Sequence, residues 1–250
     1  MSVKPILFNA EMVRAILDGR KTVTRRVVKP ANVKKAAGEG YRQGHGLWID
    51  LSADNGDREG HIKDYSVSPC WVTLGWYVNR YAPYRPGDVL WVRETFRVDY
   101  LSNIVGSGRV QYKADGLFGD IHFQPARYDM MRQAQLKPGW RPNENMPKEA
   151  ARIFLRVTDV RVERLQEVSD RAAEKEGIGD LFYKEIGFGN KDYGCMTYSD
   201  SKGIIGFRKE QFAHLWDRTI KQRDRELYGW AANPWVWRIQ FERCEKPEEV

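Results

Sequence analysis

Apolar and polar positions at the start of the chain predict a strand followed by a helix. Residues 6–8 form a short apolar run, and Asn9 has a side chain that commonly caps the N-terminus of a helix. Four apolar residues then recur at helical spacing, and this stripe ends at Gly19, a residue type that terminates helices. The stripe consists of Met12, Val13, Ile16 and Leu17.

The segment after Gly19 is basic and rich in β-branched residues. Residues 20–28 read Arg-Lys-Thr-Val-Thr-Arg-Arg-Val-Val, and Pro30 closes the segment. This composition predicts a loop that continues into a strand. We therefore expect a cluster of cations at a corner between a helix and a strand.

Two later segments have the alternation of strands. Residues 89–96 follow the turn-forming sequence Pro-Gly-Asp at 86–88 and predict one strand. Residues 152–165 also alternate, but their apolar phase slips by one residue at Thr158 and Asp159. This slip predicts a β-bulge or a sharp bend.

The last third of the chain predicts two helices and a final strand. Ser169 is a suitable cap for a short helix over residues 170–176, which Gly177 ends. A second helix is expected over residues 208–221, and a final strand begins at Trp235. The helix is expected to bury Phe212, Leu215, Trp216 and Thr219, and the strand to direct Trp235, Trp237, Ile239 and Phe241 inward.

Three stretches lack this periodicity. We interpret residues 31–84 as an insertion with a few strands of its own, and residues 99–149 as a second insertion with a strand at 109–112. Residues 182–206 are rich in Gly and Tyr and are expected to form a mobile loop. The chain as a whole, residues 1–250, is interpreted as one domain. Strands with few helices and no βαβ alternation predict an α+β fold with a mostly antiparallel sheet that closes as a small barrel.

Composition narrows the class of protein. The chain is 42% hydrophobic and 30% charged, with a net charge of +7, which is typical of a folded domain and compatible with a nucleic-acid partner. Its apolar runs are far shorter than the roughly 20 residues that a membrane helix needs. Three distant cysteines favour reduced thiols, and we read no export signal, so the cytoplasm is the expected compartment.

Several common active-site motifs are missing from the sequence. The four histidines are scattered, and no Cys-x-x-Cys or His-x-x-x-His pair offers two metal ligands on one turn. The sequence also lacks a phosphate-binding Gly-x-x-x-x-Gly-Lys-Ser/Thr loop and a Gly-x-Ser-x-Gly nucleophile motif. We therefore expect no metal site, no phosphate-binding loop and no nucleophile elbow.

The basic corner is the remaining candidate for chemistry. Neighbouring charges on Arg20, Arg25 and Arg26 are expected to lower the pKa of Lys21, and a lysine near neutrality can act as a base or nucleophile. Lys21 can share a pocket with Thr24 only if the strand begins after Lys21 or is bent there. Alternatively, the corner is a solvated basic turn.

A carboxylate could complete such a site. Glu176 is expected to be the last residue of its helix, where the negative end of the helix dipole raises the pKa of a carboxyl group and suits it to proton transfer. Glu174 points elsewhere and is expected to be solvated. Glu94 is a rival carboxylate, or else a surface residue paired with Arg93.

Three segments resemble the ASCH family, a PUA-like β-barrel group associated with RNA. They are residues 16–25 (Ile-Leu-Asp-Gly-Arg-Lys-Thr-Val-Thr-Arg), 86–92 (Pro-Gly-Asp-Val-Leu-Trp-Val) and 172–178 (Ala-Ala-Glu-Lys-Glu-Gly-Ile). Residues 4–8 (Lys-Pro-Ile-Leu-Phe) and 229–237 (Gly-Trp-Ala-Ala-Asn-Pro-Trp-Val-Trp) resemble the longer ASCH proteins of bacteriophages and prophages. The resemblance implies a PUA-like barrel with short flanking helices and two large insertions in its loops.

The resemblance also implies an activity. Small bacterial ASCH proteins are N4-acetylcytidine amidohydrolases, and their catalytic lysine, threonine and glutamate correspond to Lys21, Thr24 and Glu176. Lys21 would be the base or nucleophile, Thr24 would orient it or relay a proton, and Glu176 would protonate the leaving cytosine amine. No metal or cofactor is implied, and the substrate is a modified nucleoside or nucleic acid, RNA rather than DNA.

Two other functions remain open at this point. The first is a nucleic-acid-binding module without turnover, in which Arg20, Arg25 and Arg26 contact the phosphates. The second is a metal-independent ribonuclease, in which Lys21 and Arg25 stabilise the charge of the phosphorane.

Overall fold

The computed structural model describes residues 2–28, 61–63, 71–102, 106–137, 139–178, 199–200, 203–204 and 208–247. The strands in these ranges are β1 Val3–Leu7, β2 Val23–Val27, β3 His61–Lys63, β4 Trp71–Thr73, β5 Val89–Arg93, β6 Phe96–Ser102, β7 Ser107–Tyr112, β8 Phe118–His122, β9 Phe154–Arg164, β10 Ser199–Asp200, β11 Gly203–Ile204 and β12 Trp235–Cys244. The helices are α1 Ala10–Leu17, α2 Leu74–Tyr81, α3 Tyr128–Leu136, α4 Asp170–Glu174, α5 Arg208–Thr219 and α6 Arg225–Tyr228. Among these described residues, no helix is long and apolar enough to cross a lipid bilayer.

The largest sheet has five strands in the order β1-β5-β9-β12-β2. β1 and β5 are parallel, and the other three pairs are antiparallel. The predicted α+β class with a mostly antiparallel sheet is therefore confirmed. Its inner face and α1 enclose the main apolar core, which includes Phe8, Val13, Ile16, Leu90, Val92, Leu155, Val157, Trp237, Ile239 and Phe241.

The expected closed barrel would have no unpaired edge strands, and the structure differs from it in this respect. In the part of the chain that the structure describes, main-chain pairing leaves β1 and β2 as two separate edges. A side chain links them instead, because Nη2 of Arg26 in β2 donates a hydrogen bond to the carbonyl oxygen of Leu7 in β1 at 2.6 Å.

The long pair β9–β12 contains the irregularity that the phase slip predicted. Asp159 faces Gln240 and Val157 faces Phe241, so Thr158 is an extra residue in β9 without a counterpart in β12. This bulge allows Val157 and Val160 to face the same core, both less than 9% exposed. The predicted bulge is confirmed.

Residues 96–150 form a smaller unit between β5 and β9. β6, β7 and β8 make a three-stranded antiparallel sheet, and its core includes Phe96, Val110, Tyr112, Ile121 and Met131. The prediction of one strand over residues 89–96 was wrong, since β5 ends at Arg93 and Phe96 begins the new sheet. The unit therefore begins three residues before the predicted insertion boundary at residue 99.

The other insertion and the Gly-rich loop are described only in part. Within 31–84, β3 and β4 pair and are followed by the helix α2, which we did not predict. A part of that insertion, residues 31–60 and 64–70, lies outside the described residues. So does the predicted loop at 182–206, apart from the short pair of β10 and β11.

α4 and α5 cover the outer face of the five-stranded sheet. Their apolar side chains pack together in a cluster that includes Leu165, Val168, Ala173, Phe212, Trp216 and Val236. Thr219 is an exception to the predicted buried stripe, because it is exposed at the last turn of α5 and its hydroxyl donates to the carbonyl oxygen of Trp216. Main-chain hydrogen bonds from Thr22 and Val23 to Lys175 hold the end of α4 at the start of β2.

Candidate functional site

Lys21 lies in the corner between α1 and β2. Gly19 leaves the helix with a φ of +74°, and the amide of Lys21 then donates to the carbonyl oxygen of Ala15 at 2.9 Å. β2 begins at Val23, and Lys21 precedes it in an isolated antiparallel bridge with Glu176. The strand thus begins after Lys21, which is one of the two conditions under which Lys21 and Thr24 can share a pocket.

Glu176 lies beyond the helix rather than at its last residue. α4 ends at Glu174, Lys175 is the cap, and the amide of Glu176 donates to the carbonyl oxygen of Ala173. The carbonyl oxygen of Lys175 accepts hydrogen bonds from the amides of Thr22 and Val23 at 2.9 and 3.0 Å. Main-chain bonds therefore hold Glu176 beside Lys21, and the predicted helix to residue 176 was two residues too long.

The ammonium group of Lys21 is completely buried and fully hydrogen-bonded. Its Nζ donates to Oε2 of Glu176 at 2.7 Å, to the carbonyl oxygen of Glu176 at 3.0 Å and to that of Val23 at 2.8 Å. The side chains of Lys21 and Glu176 are 0% and 4% exposed. All three N–H donors of a lysine ammonium are thus satisfied.

Arg25 binds the second oxygen of the same carboxylate. Its Nη1 donates to Oε1 of Glu176 at 2.9 Å, and its Nε donates to Oε1 of Glu163 at 2.7 Å. The guanidinium group also lies 5.6 Å from the ring centre of Phe212, and the side chain is 1% exposed. The structure therefore places Arg25 among buried partners, away from the surface position that we predicted for a phosphate contact.

The pKa of Lys21 is lowered, as expected, but the main cause differs. Burial penalises the charged amine most, and the charges of Arg26 and Arg25 lower the pKa further, whereas Glu176 opposes the shift. The sequence identified the direction from neighbouring cations, while the structure assigns the larger effect to the loss of water around the amine.

Thr24 and Arg26 face the opposite side of β2 from Arg25. Thr24 pairs with Ile239 and Arg26 with Trp237, and both of these partners belong to the main core. Thr24 is 3% exposed, and burial lowers the pKa of Arg26. The three predicted catalytic residues, Lys21, Thr24 and Glu176, therefore lie in one region. Lys21 is bonded to Glu176, and Thr24, three residues further along the chain, lies on the face of β2 that contacts the core.

Phe8 and Glu163 are two neighbours of the candidate site that the sequence did not single out. The ring centre of Phe8 lies 5.6 Å from Nζ of Lys21 and 5.4 Å from the guanidinium carbon of Arg26. Phe8 belongs to an ordinary apolar run, and Glu163 lies in an ordinary alternating strand. Neither position carries a local signal, because Glu163 reaches Arg25 across β12 and Phe8 reaches Arg26 only where the two edges of the sheet approach each other.

Arg20 lies at the rim of the corner. Its guanidinium group donates to Oδ2 of Asp18 and, at 2.7 Å, to the carbonyl oxygen of Gly177. The side chain is 36% exposed, so Arg20 remains accessible from outside. Glu174 is 46% exposed and pairs with Arg208, in agreement with the prediction that it points away from Lys21.

Glu94 belongs to a separate cluster. Both of its oxygens accept hydrogen bonds from Arg152, at 2.8 and 2.9 Å, so its partner is Arg152 rather than Arg93. Arg152 also binds Asp115, and its guanidinium carbon lies 3.8 Å from the ring centre of Tyr112. Burial raises the pKa of Glu94, against the effect of Arg152. This cluster joins the 96–150 unit to the five-stranded sheet.

The described ranges contain no group of three or more His, Cys, Asp or Glu side chains able to hold a metal ion. Comparison of the chain with protein-family models, curated proteins and solved structures found no match. A function for the Lys21 and Glu176 pair must therefore be argued from its own geometry and from the resemblance of its segments.

Proposed function

We propose that the chain is a PUA-like domain of the ASCH type that acts as a metal-independent amidohydrolase on N4-acylated cytosine. Its substrate would be a modified nucleoside or nucleic acid, RNA rather than DNA, in the cytoplasm, and the reaction would need no cofactor. The observation that carries the proposal is the 2.7 Å hydrogen bond between Nζ of Lys21 and Oε2 of Glu176 in a site closed to water.

One proton transfer along this bond supplies both catalysts that amide hydrolysis needs. When Lys21 passes a proton to Glu176, the result is a neutral amine, which is a base, and a carboxylic acid, which is a proton donor. Burial favours this neutral pair, since the lowered pKa of Lys21 brings the amine closer to that state. Arg25 stabilises the carboxylate and so keeps the neutral pair a minor form.

The proposed reaction balances through these two groups. Lys21 takes a proton from a water molecule as the oxygen of that water bonds to the acyl carbon. Glu176 then gives a proton to N4 as the bond between the acyl carbon and N4 breaks. The products are a carboxylic acid and cytosine, and the proton on Lys21 returns to Glu176. Thr24 would orient the water or relay its proton. Because Lys21 has no exposed surface, the packing over the pair must move to admit the amide.

The experiment follows conversion of N4-acetylcytidine to cytidine by chromatography. Lys21→Arg retains a cation but has no usable lone pair at neutral pH, so we expect turnover to fall by at least 100-fold, a typical general-base contribution. Lys175→Met, which changes the exposed lysine beside Glu176, is the matched control and should retain turnover. Undiminished turnover in a folded Lys21→Arg variant would overturn the assignment of Lys21.

A specific observation favours the binding module as the second candidate. All three donors of Lys21 and both oxygens of Glu176 are already bonded, which is the state of a structural ion pair. In that function the pair would hold the corner, and Arg20 at the rim would contact phosphate. The expected result is then no cytidine from any acylated substrate, together with oligonucleotide binding that weakens with salt. No observation favours the ribonuclease.

A further inference from the structure

The outward face of the β6-β7-β8 sheet differs from an ordinary solvated surface. Along β7, Gly108, Val110 and Tyr112 are buried, and the residues between them point outward. Arg109 is the exposed residue at the centre of this outward set, and Gln111 follows it. One face of the sheet is therefore apolar core, and the other is open to ligands.

A row of side chains crosses this outward face with an aromatic residue at each end. Gln111 pairs with Arg97 on one side and with Phe118 on the other. Beyond Arg97, the bridge between Phe96 and Arg141 places Trp140 next in the row. The guanidinium carbon of Arg97 lies 5.2 Å from the ring centre of Trp140, so the two side chains touch on this face. The row consists of Trp140, Arg97, Gln111 and Phe118.

A second row lies beside the first. Tyr100 pairs with Arg109, and Arg109 pairs with Asp120, to which its Nε donates at 3.0 Å. Tyr100, Phe118 and Trp140 are 58%, 51% and 36% exposed. Three large aromatic side chains exposed on one face of one small sheet are unusual in a monomeric domain and indicate an interaction surface. We call these two rows the aromatic face.

The charge of the aromatic face indicates the kind of partner. Arg97 and Arg109 lie within the rows, and Lys113, directly after β7, is exposed. Asp120 is the acidic residue of the two rows, while Asp99 lies in the bulge of β6, outside both. Each row thus places a cation next to an aromatic ring, Arg97 beside Trp140 and Arg109 beside Tyr100. Phosphates bind the cations and unpaired bases stack on the rings, so the pattern is complementary to single-stranded nucleic acid.

We propose that the aromatic face binds single-stranded nucleic acid. A duplex fits less well, because its bases are stacked on each other and offer no free ring faces to Trp140, Phe118 and Tyr100. An apolar protein partner fits less well too, because it would bury Arg97 without a counter-charge. The proposal does not depend on hydrolysis at Lys21, since none of these residues belongs to that site.

The test measures the fluorescence anisotropy of a 5′-labelled 15-nucleotide RNA, its DNA counterpart and the corresponding RNA duplex. We expect Trp140→Ala and Phe118→Ala each to weaken binding of the single strand by on the order of tenfold, the usual loss for one stacking ring. Leu136→Ala removes a side chain that is 66% exposed on α3, outside the aromatic face, and is the matched control with unchanged affinity. Thermal melting of each variant checks that the fold is retained.

Salt dependence tests the cations separately. Arg97→Gln should lower the slope of log affinity against log salt by about 0.7, as expected for one phosphate contact to a single strand. Arg223→Gln, which removes an equally charged side chain that is 77% exposed elsewhere, should leave the slope unchanged. Equal slopes for the two variants would contradict a phosphate contact at Arg97.

The outcomes separate this proposal from the hydrolase. Equal affinity for the duplex and the single strand, or equal loss in Leu136→Ala and Trp140→Ala, would overturn the aromatic face as the binding surface. A face that serves a protein partner would leave oligonucleotide affinity unchanged in all the variants, which also overturns it. Hydrolysis of the free nucleoside N4-acetylcytidine should be the same in Trp140→Ala as in the original chain. Absence of hydrolysis of both the free nucleoside and an N4-acetylated oligonucleotide would refute the hydrolase and leave the binding result intact.

Discussion

Gly177 lies so close to the side chain of Lys21 that a Cβ atom at this position would force its neighbours to shift. A Cβ atom on residue 177 would lie 2.9 Å from Cβ of Lys21 and 2.6 Å from Cβ of Ala15. Its φ of +87° also belongs to the left-handed region that glycine adopts freely. Gly177 thus joins three elements at one point: α1, the corner before β2 and the segment after α4.

This contact predicts a large effect of Gly177→Ala on stability. The left-handed conformation alone costs alanine about 1–2 kcal/mol, and the overpacked contact adds about 1–3 kcal/mol. Gly19→Ala is the matched control, because Gly19 has a φ of +74° and open space around its Cβ position. The free energy of unfolding from urea titrations should fall clearly more for Gly177→Ala. Equal losses would mean that the contact with Lys21 does not constrain the fold.

The contacts of Lys21 and Glu176 predict which of two substitutions lowers the free energy of unfolding more. Glu176→Gln leaves Lys21 and Arg25 facing each other without the shared anion, so we expect a loss of about 3–5 kcal/mol in unfolding free energy. Lys21→Met leaves Glu176 paired with Arg25 and should cost only about 1–2 kcal/mol. Denaturant titration at neutral pH compares them. A larger loss for Lys21→Met than for Glu176→Gln would show that Arg25 alone does not stabilise the buried carboxylate of Glu176.

The raised pKa of Tyr112 predicts that the folded protein loses stability in alkali. Burial raises its pKa to about 12, Arg152 opposes the shift, and its hydroxyl donates to the carbonyl oxygen of Ala150. Between pH 10 and 12 the unfolded chain therefore releases a proton that the folded chain retains, so folding stability falls as the pH rises. Tyr112→Phe should reduce that slope by up to about 1.4 kcal/mol per pH unit. A slope identical to that of the original chain would contradict the assignment to Tyr112.

The lowered pKa of Asp88 predicts that the folded protein loses stability in acid. Burial opposes its ionisation, but hydrogen bonds from Lys4, Ser2 and the amide of Arg85 outweigh burial and lower its pKa to about 2. The stabilisation is complete above pH 3.8 and is lost as the pH falls through 2, with a size of about 2 kcal/mol. Urea titrations between pH 5 and 2 should show a shallower decline for Asp88→Asn. Parallel declines would assign the acid sensitivity to other carboxylates.

Local patterns were enough to predict the elements around the site. Asn9 caps α1 by accepting the amide of Met12, and Ser169 caps α4 by accepting that of Ala172, as their residue types predicted. Periodicity alone also located the extra residue Thr158 in β9. Each of these features depends on residues within a few positions along the chain, so the local sequence is enough to predict it.

Features that depend on distant segments could not be predicted in this way. The partners of Glu94 and Arg25 are Arg152 and Glu163, and no spacing rule connects residues so far apart in the chain. The split between β5 and β6 was missed for the same reason, since Glu94 interrupts an apparently continuous strand only to reach Arg152. Burial of Lys21 likewise follows from the packing of α4 against β2, which no local pattern encodes.

The pairing of β5 with β9 bears on how the 96–150 unit is attached. Trp91 faces Phe154 in this antiparallel pair, so the chain leaves the large sheet and returns to it at adjacent points. β5 and β9 are in effect the two arms of a hairpin whose turn has been replaced by a folded module. The register of the two arms is therefore set by their direct pairing within the large sheet, and the module reaches back to that sheet through the contact of Asp115 with Arg152.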